Sequence, residues 1–114
     1  MTADKLSRIV VKALEDMKAI DIETYDVTEL TSITDKMIFA SGGSSRHVKA
    51  LANTTLDTVK ANAIKPLGVE GIQQGDWALI DLGDVIVHIM RPPIRDYYQL
   101  EKIWAMDNRE SSSL

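Results

Sequence analysis

The chain has no cysteine. Disulfides, thiolate nucleophiles and cysteine-held metals are therefore excluded. It has only two histidines, His47 and His88, so a metal site would need both, plus carboxylates from distant segments. No metal or cofactor is expected. No apolar run is long enough to span a bilayer. The N-terminal MTADKLSRIVVKALEDMK has no signal-type apolar core, because Lys12, Glu15, Asp16 and Lys18 interrupt it. A cytoplasmic location is the expectation. Positive charge is also sparse, with a net charge of −4 and lysines and arginines scattered rather than clustered. That pattern predicts little or no direct reading of nucleic acid. It leaves open docking on a basic protein of a ribonucleoprotein.

The 114 residues suffice for one domain with one core, and the 45% apolar content is that of an ordinary folded chain. Leu6, Ile9, Val10, Ala13, Leu14 and Met17 recur at helical spacing and predict a helix over 4–19, capped by Thr2 or Asp4. The segment 21–27 alternates as a strand, 28–35 is polar, and the apolar run 36–40 reads as a buried strand. Ser44-Ser45 opens a second helix to about Ala63, with Val48, Leu51, Ala52, Thr55, Leu56 and Val59 as its apolar stripe. Val69–Ile72 has the look of a short edge strand. Pro92-Pro93 ends the last strand, since proline has no N–H for the ladder, and suits a helix entry. A helix over 95–105 follows, with Tyr97, Leu100, Ile103 and Trp104 spaced to pack. The domain is assigned to 1–106, with 107–114 a flexible polar tail. The order α-β-β-α-β-β-β-α predicts an α/β fold with a mixed sheet of about five strands and flanking helices.

The richest stretch is Gly75–Trp104. Asp76–Leu82 and Val85–Arg91 alternate and are linked by Gly83-Asp84, a hairpin signal because glycine takes the positive φ of a tight turn. The register then pairs Leu82 with Val85, Ile80 with Val87 and Ala78 with Ile89, all on one core face. The opposite face carries Trp77, Leu79, Asp81, Ile86, His88 and Met90, with Asp81 and His88 near enough for a polar pair. Such a face is either a docking surface or a second covered core, and the pattern alone does not choose.

Ser41-Gly42-Gly43-Ser44-Ser45 joins a strand to a helix N-terminus, where free amides can hold an anion. Nucleotidyltransferases use such a turn with two nearby carboxylates that bind catalytic metals. Here Arg46, His47, Val48 and Lys49 follow, so the turn reads as a helix cap and the transferase chemistry as absent. A Ser44–His88–Asp81 constellation is compatible with spacing but has no supporting motif. Arg95, Tyr97 and Tyr98 begin the last helix and suit either an interface or a solvated helix end.

Asp21-Ile22 with Asp26-Val27, Ser41-Gly42 with Ser44 and Arg46, Glu70-Gly71, Gly75-Asp76-Trp77 with Leu79 and Asp81, Val87-His88, and Arg95, Tyr98, Leu100, Glu101 and Trp104 together resemble the ribosomal silencing factor (RsfS or Iojap) family. The resemblance covers about Leu6 to Met106. It departs at Lys36–Phe39, where the family is usually more aromatic. The resemblance implies a nucleotidyltransferase-like fold without its active site, and no enzyme activity. It implies a translational repressor that binds the large ribosomal subunit through ribosomal protein L-fourteen, blocks subunit joining and so saves resources under nutrient limitation. Relatives in organelles act in large-subunit assembly. The implied contact residues are Trp77, Leu79, His88, Met90, Arg95 and Tyr98. A homodimer through the Trp77 face is a further expectation for the free protein.

Overall fold

Thr2 starts the first helix: its Oγ1 accepts the Lys5 N–H at 3.1 Å, satisfying one of the amides left over at a helix start. The computed structural model describes residues 1–103; Trp104 and the 107–114 tail lie outside the described residues. In order come helix α1 (Ala3–Asp16), strands β1 (Ile20–Asp26) and β2 (Lys36–Ser41), helix α2 (Ser45–Ala61), strands β3 (Gly68–Glu70), β4 (Trp77–Asp81) and β5 (Val85–Met90), and helix α3 (Pro92–Tyr98). A short 3-10 helix, Leu100–Ile103, follows. The five strands form one mixed sheet in the order β1-β2-β5-β4-β3, with β2 and β5 parallel and the other pairs antiparallel.

Strand periodicity divides the sheet into two faces. Ile38, Ala40, Ala78, Ile80, Val85, Val87 and Ile89 point to the first face, where Leu6, Val10 and Leu14 of α1 and Val48, Leu51, Ala52 and Val59 of α2 cover them. These side chains are nearly all removed from water, and each of the valines, leucines and isoleucines is worth about 1.5–3 kcal/mol on burial. Tyr25, Met37, Phe39, Ile86 and Met90 point to the second face, where Ile94 and Leu100 of the C-terminal segment pack. Lys36, on the first face, reaches Asp4 of α1 at 2.9 Å, and that contact holds the Asp4 carboxyl below its ordinary range.

The hairpin register is the expected one: Ala78 opposes Ile89, Ile80 opposes Val87, and the Leu82 N–H donates to the Val85 carbonyl at 2.9 Å. Gly83 sits at φ 88°, as the turn requires.

Element ends depart from expectation. Helix α1 stops at Asp16, not Ala19, because Lys18 adopts φ 62° and the Ala19 N–H turns back to the Leu14 carbonyl at 3.0 Å. Met17 falls beyond the helix and is exposed. Helix α2 ends two residues early in the same way, with Ala63 at φ 61° and the Ile64 N–H on the Val59 carbonyl. The edge strand is Gly68–Glu70 rather than Val69–Ile72: Gly71, at φ 80°, turns the chain out of the sheet. The expected helix over 95–105 is corrected most. It begins at Pro92 and breaks at Gln99, whose φ of 49° is incompatible with a continuing helix.

Candidate functional site

The site is built at the end of the sheet where β4 begins and β5 ends. Trp77 opposes Met90 and Leu79 opposes His88, so alternation sends all four side chains to the second face. Pro92-Pro93 turns the chain directly into α3, which lies over that end. The Arg91 N–H donates to the Asp76 carbonyl at 3.0 Å and the Arg91 guanidinium pairs with the Asp76 carboxylate at 3.2 Å, fixing the crossing point.

An aromatic series crosses the face. Tyr25 meets Phe39 edge-on with centroids 5.7 Å apart, and Phe39 stacks on the His88 ring at 4.9 Å, tilted by 7°. His88 lies 6.0 Å from Trp77, Trp77 lies 5.2 Å from Tyr98, and Tyr98 meets Tyr97 edge-on at 5.3 Å. Exposure rises along this series. Phe39 is fully buried, Trp77 is half-buried, Tyr98 is 52% exposed and Tyr97 82%. The inner end is a core and the outer end is exposed, so the Trp77 face is one graded surface.

His88 is 7% exposed, and its Nδ1 accepts the Trp77 indole N–H at 3.1 Å. Burial disfavours the imidazolium and lowers its pKa from the ordinary 6.5 to about 4. The ring is therefore neutral at physiological pH, with its other nitrogen protonated. The expected Asp81–His88 pair does not form. Asp81 instead accepts the Gly83 N–H at 2.9 Å and caps the turn, while His88 is taken by the indole.

The implied contact residues separate by depth. Trp77 and Leu79 are half-buried and Tyr98 is exposed, so these three supply surface. His88, Met90 and Arg95 are buried and lie beneath it. Arg95 in particular does not lie at a solvated helix end. Its Nε donates to Glu101 at 2.6 Å, one terminal nitrogen to the Ser41 hydroxyl at 3.0 Å, and the other lies 3.5 Å from Glu23. Sequence reasoning missed Glu23, Ser41 and Glu101 as parts of this site; the only local signal was the Arg95/Glu101 spacing.

The Ser41–Ser45 turn is occupied by its own cap. Ser44 Oγ accepts the His47 N–H at 3.1 Å, the Gly43 N–H donates to His47 Nδ1 at 3.0 Å, and His47 Nε2 reaches the Met17 carbonyl at 2.9 Å. An added side chain at Gly42 would meet the backbone of Val48 at 2.8 Å, so the close approach to α2 demands glycine. Two amides of the turn, those of Gly43 and His47, are thus engaged within the cap, and the Gly42 N–H donates to the Met90 carbonyl at 3.1 Å. The Ser44–His88–Asp81 constellation does not assemble: His88 faces away from α2, and Asp81 sits at the opposite end of β4 from Trp77. Among the described residues no cluster of three metal-binding side chains occurs.

This architecture defines a mixed α/β domain with a graded aromatic patch at one end of its sheet. The chain belongs to the RsfS family, described as "Ribosomal silencing factor during starvation", whose model matches residues 1–113. That family is one of regulators, not known enzymes. The chain is 44% identical over 104 residues to the ribosomal silencing factor RsfS of Chromobacterium violaceum, covering 91% of this chain and 85% of that one. It is 42% identical to the Haemophilus influenzae RsfS, covering 88% and 98%. A mouse protein named for mitochondrial assembly of the ribosomal large subunit is 30% identical, covering 86% of this chain and 44% of its own. A crystal structure of a Chromobacterium violaceum protein matches with TM-score 0.91 at 41% identity, covering 100% of this chain and 94% of that one. Among the described residues no helix is long and apolar enough to cross a membrane.

Proposed function

We propose that this protein is a cytoplasmic translational repressor that binds the large ribosomal subunit through ribosomal protein L-fourteen and blocks joining of the small subunit when nutrients are scarce. The observation that carries the reading is the match of nearly the whole chain to a family defined by ribosome silencing. The name of the mouse relative, which refers to large-subunit assembly, supports the large subunit as the partner. The half-exposed Trp77, flanked by Leu79 and Tyr98, supplies the apolar anchor. His88, Met90 and Arg95 hold that anchor from below. A net charge of −4 favours encounter with a basic ribosomal protein.

The mechanism is occlusion without turnover: a domain about 34 Å across, seated on the face where the subunits meet, excludes the second subunit. Affinity, not chemistry, sets its effect. Co-sedimentation with isolated large and small subunits tests this. Wild type binds the large subunit alone, and Trp77→Ala loses ~30- to 1000-fold in affinity, as removal of a buried aromatic anchor implies. Binding to neither subunit, or equal binding by the folded variant, overturns the assignment.

A further inference from the structure

Helix α3 has seven residues, no side-chain cap and a left-handed break immediately after it. A helix that short has no stability of its own in water. Among the described residues, Ile94 and, beyond the break, Leu100 pack it on the second core. Yet Tyr98, its last residue, stands 5.2 Å from Trp77 at the open end of the aromatic series. Something must fix α3 on the sheet for that pairing to persist.

Arg95 sits one turn before Tyr98 and is 7% exposed. Its guanidinium reaches three other elements: Ser41 at the end of β2, Glu23 on β1, and Glu101 in the 3-10 helix past the break. Glu23 is itself held by the Tyr25 hydroxyl at 2.6 Å, which ties the network to the inner end of the aromatic series. The guanidinium fork suits this multipoint contact in a way a lysine ammonium does not. Removing one partner of a buried ion pair leaves the other charge uncompensated, so arrangements that separate Arg95 from its carboxylates are disfavoured.

We infer that Arg95 is a positioning residue. With Glu101, Glu23 and Ser41 it clamps α3 and the 3-10 helix to the sheet, so that Tyr98 packs on Trp77 and the partner surface is formed before the partner arrives. Arg95 makes no contact with the partner. The inference rests on the ribosome-binding reading for its function, but its structural half stands apart from it.

The test combines a structural readout with a binding cycle. The indole N–H resonance of Trp77, assigned with Trp77→Phe, and amide exchange over 92–103 are compared between wild type, Arg95→Gln and Glu101→Gln. Both variants shift the indole resonance and speed exchange in 92–103, while the β5 amides stay protected. Large-subunit affinity is then measured for Arg95→Gln, Tyr98→Ala and the double variant. Arg95→Gln weakens binding by roughly tenfold, and adding it to Tyr98→Ala causes little further loss, since both act on one surface. Glu101→Gln reproduces the loss with the arginine intact, and serves alone if Arg95→Gln fails to fold. Additive losses would make Arg95 a direct contact and overturn the inference. So would an unchanged indole resonance and unchanged exchange. If wild type binds no subunit, the ribosome reading fails, and the resonance and exchange data still decide whether the clamp exists.

Discussion

His88 makes the stability of this protein depend on pH in a calculable way. The ring is buried between Phe39 and Trp77 and accepts the indole N–H. Its pKa is lowered from 6.5 to about 4 by burial. The neutral form is favoured in the fold, so between these values the unfolded chain binds more protons, and stability falls as pH falls. The contribution is complete above pH ~6.5 and lost by pH ~4. A shift of this size corresponds to about 3 kcal/mol over the whole window, with ~2 kcal/mol gone by pH 5. Asp4 and Asp26 have lowered pKa values, from Lys36 and from Thr28 hydrogen bonds respectively, so what they contribute is lost only below the usual carboxylate range. Urea unfolding at pH steps from 7.5 to 4.5 gives the curve. His88→Asn retains an acceptor near the indole and cannot titrate; it is less stable at neutral pH because the stacking on Phe39 is lost. Its stability nevertheless declines less steeply with acid, and the difference between the two slopes isolates His88. Parallel curves for wild type and His88→Asn would refute the assignment of this burial penalty to His88.

Four other outcomes follow from the geometry. Gly71→Ala would place a methyl 2.0 Å from the Trp77 carbonyl oxygen at a φ of 80°, so thermal unfolding should show a loss of about 2–4 kcal/mol. Ala63→Gly and Lys18→Gly relieve left-handed residues at two helix ends, and each should raise stability by ~0.5–1 kcal/mol in denaturant titrations. Leu51→Ala empties a fully buried position on the inner face of α2 and should cost about 2–5 kcal/mol by the same measurement. A nucleoside triphosphate with magnesium should leave the melting temperature unchanged, because the cap engages the Gly43 and His47 amides and Arg46-His47-Val48-Lys49 places no carboxylate beside the turn; a clear rise would reopen the transferase reading.

The hairpin was legible because its information is local. Gly83 supplies the turn, and a period of two then assigns every side chain from Trp77 to Met90 to a face. The apolar stripes of α1 and α2 were legible for the same reason, at helical period. The helix ends were not: Lys18 and Ala63 take left-handed conformations usually left to glycine, and no residue type signals them. Gln99 hides the break after α3 in the same way. The Asp81–His88 pair was misread because two acceptors compete for nearby donors, and only coordinates show that the turn amide takes one and the indole the other.

The sequence by itself determined the order of elements, the mixed sheet and the Trp77 face, because periodicity, turns and caps are properties of neighbouring residues. Its resemblance pattern also determined the family. Tertiary structure alone decided which residues of that face are surface and which are support. Arg95 lies 54 positions from Ser41 in the chain, yet bonds to it inside the protein. Burial is set by what long-range folding stacks on a residue, and a buried guanidinium and an exposed one are written with the same letter.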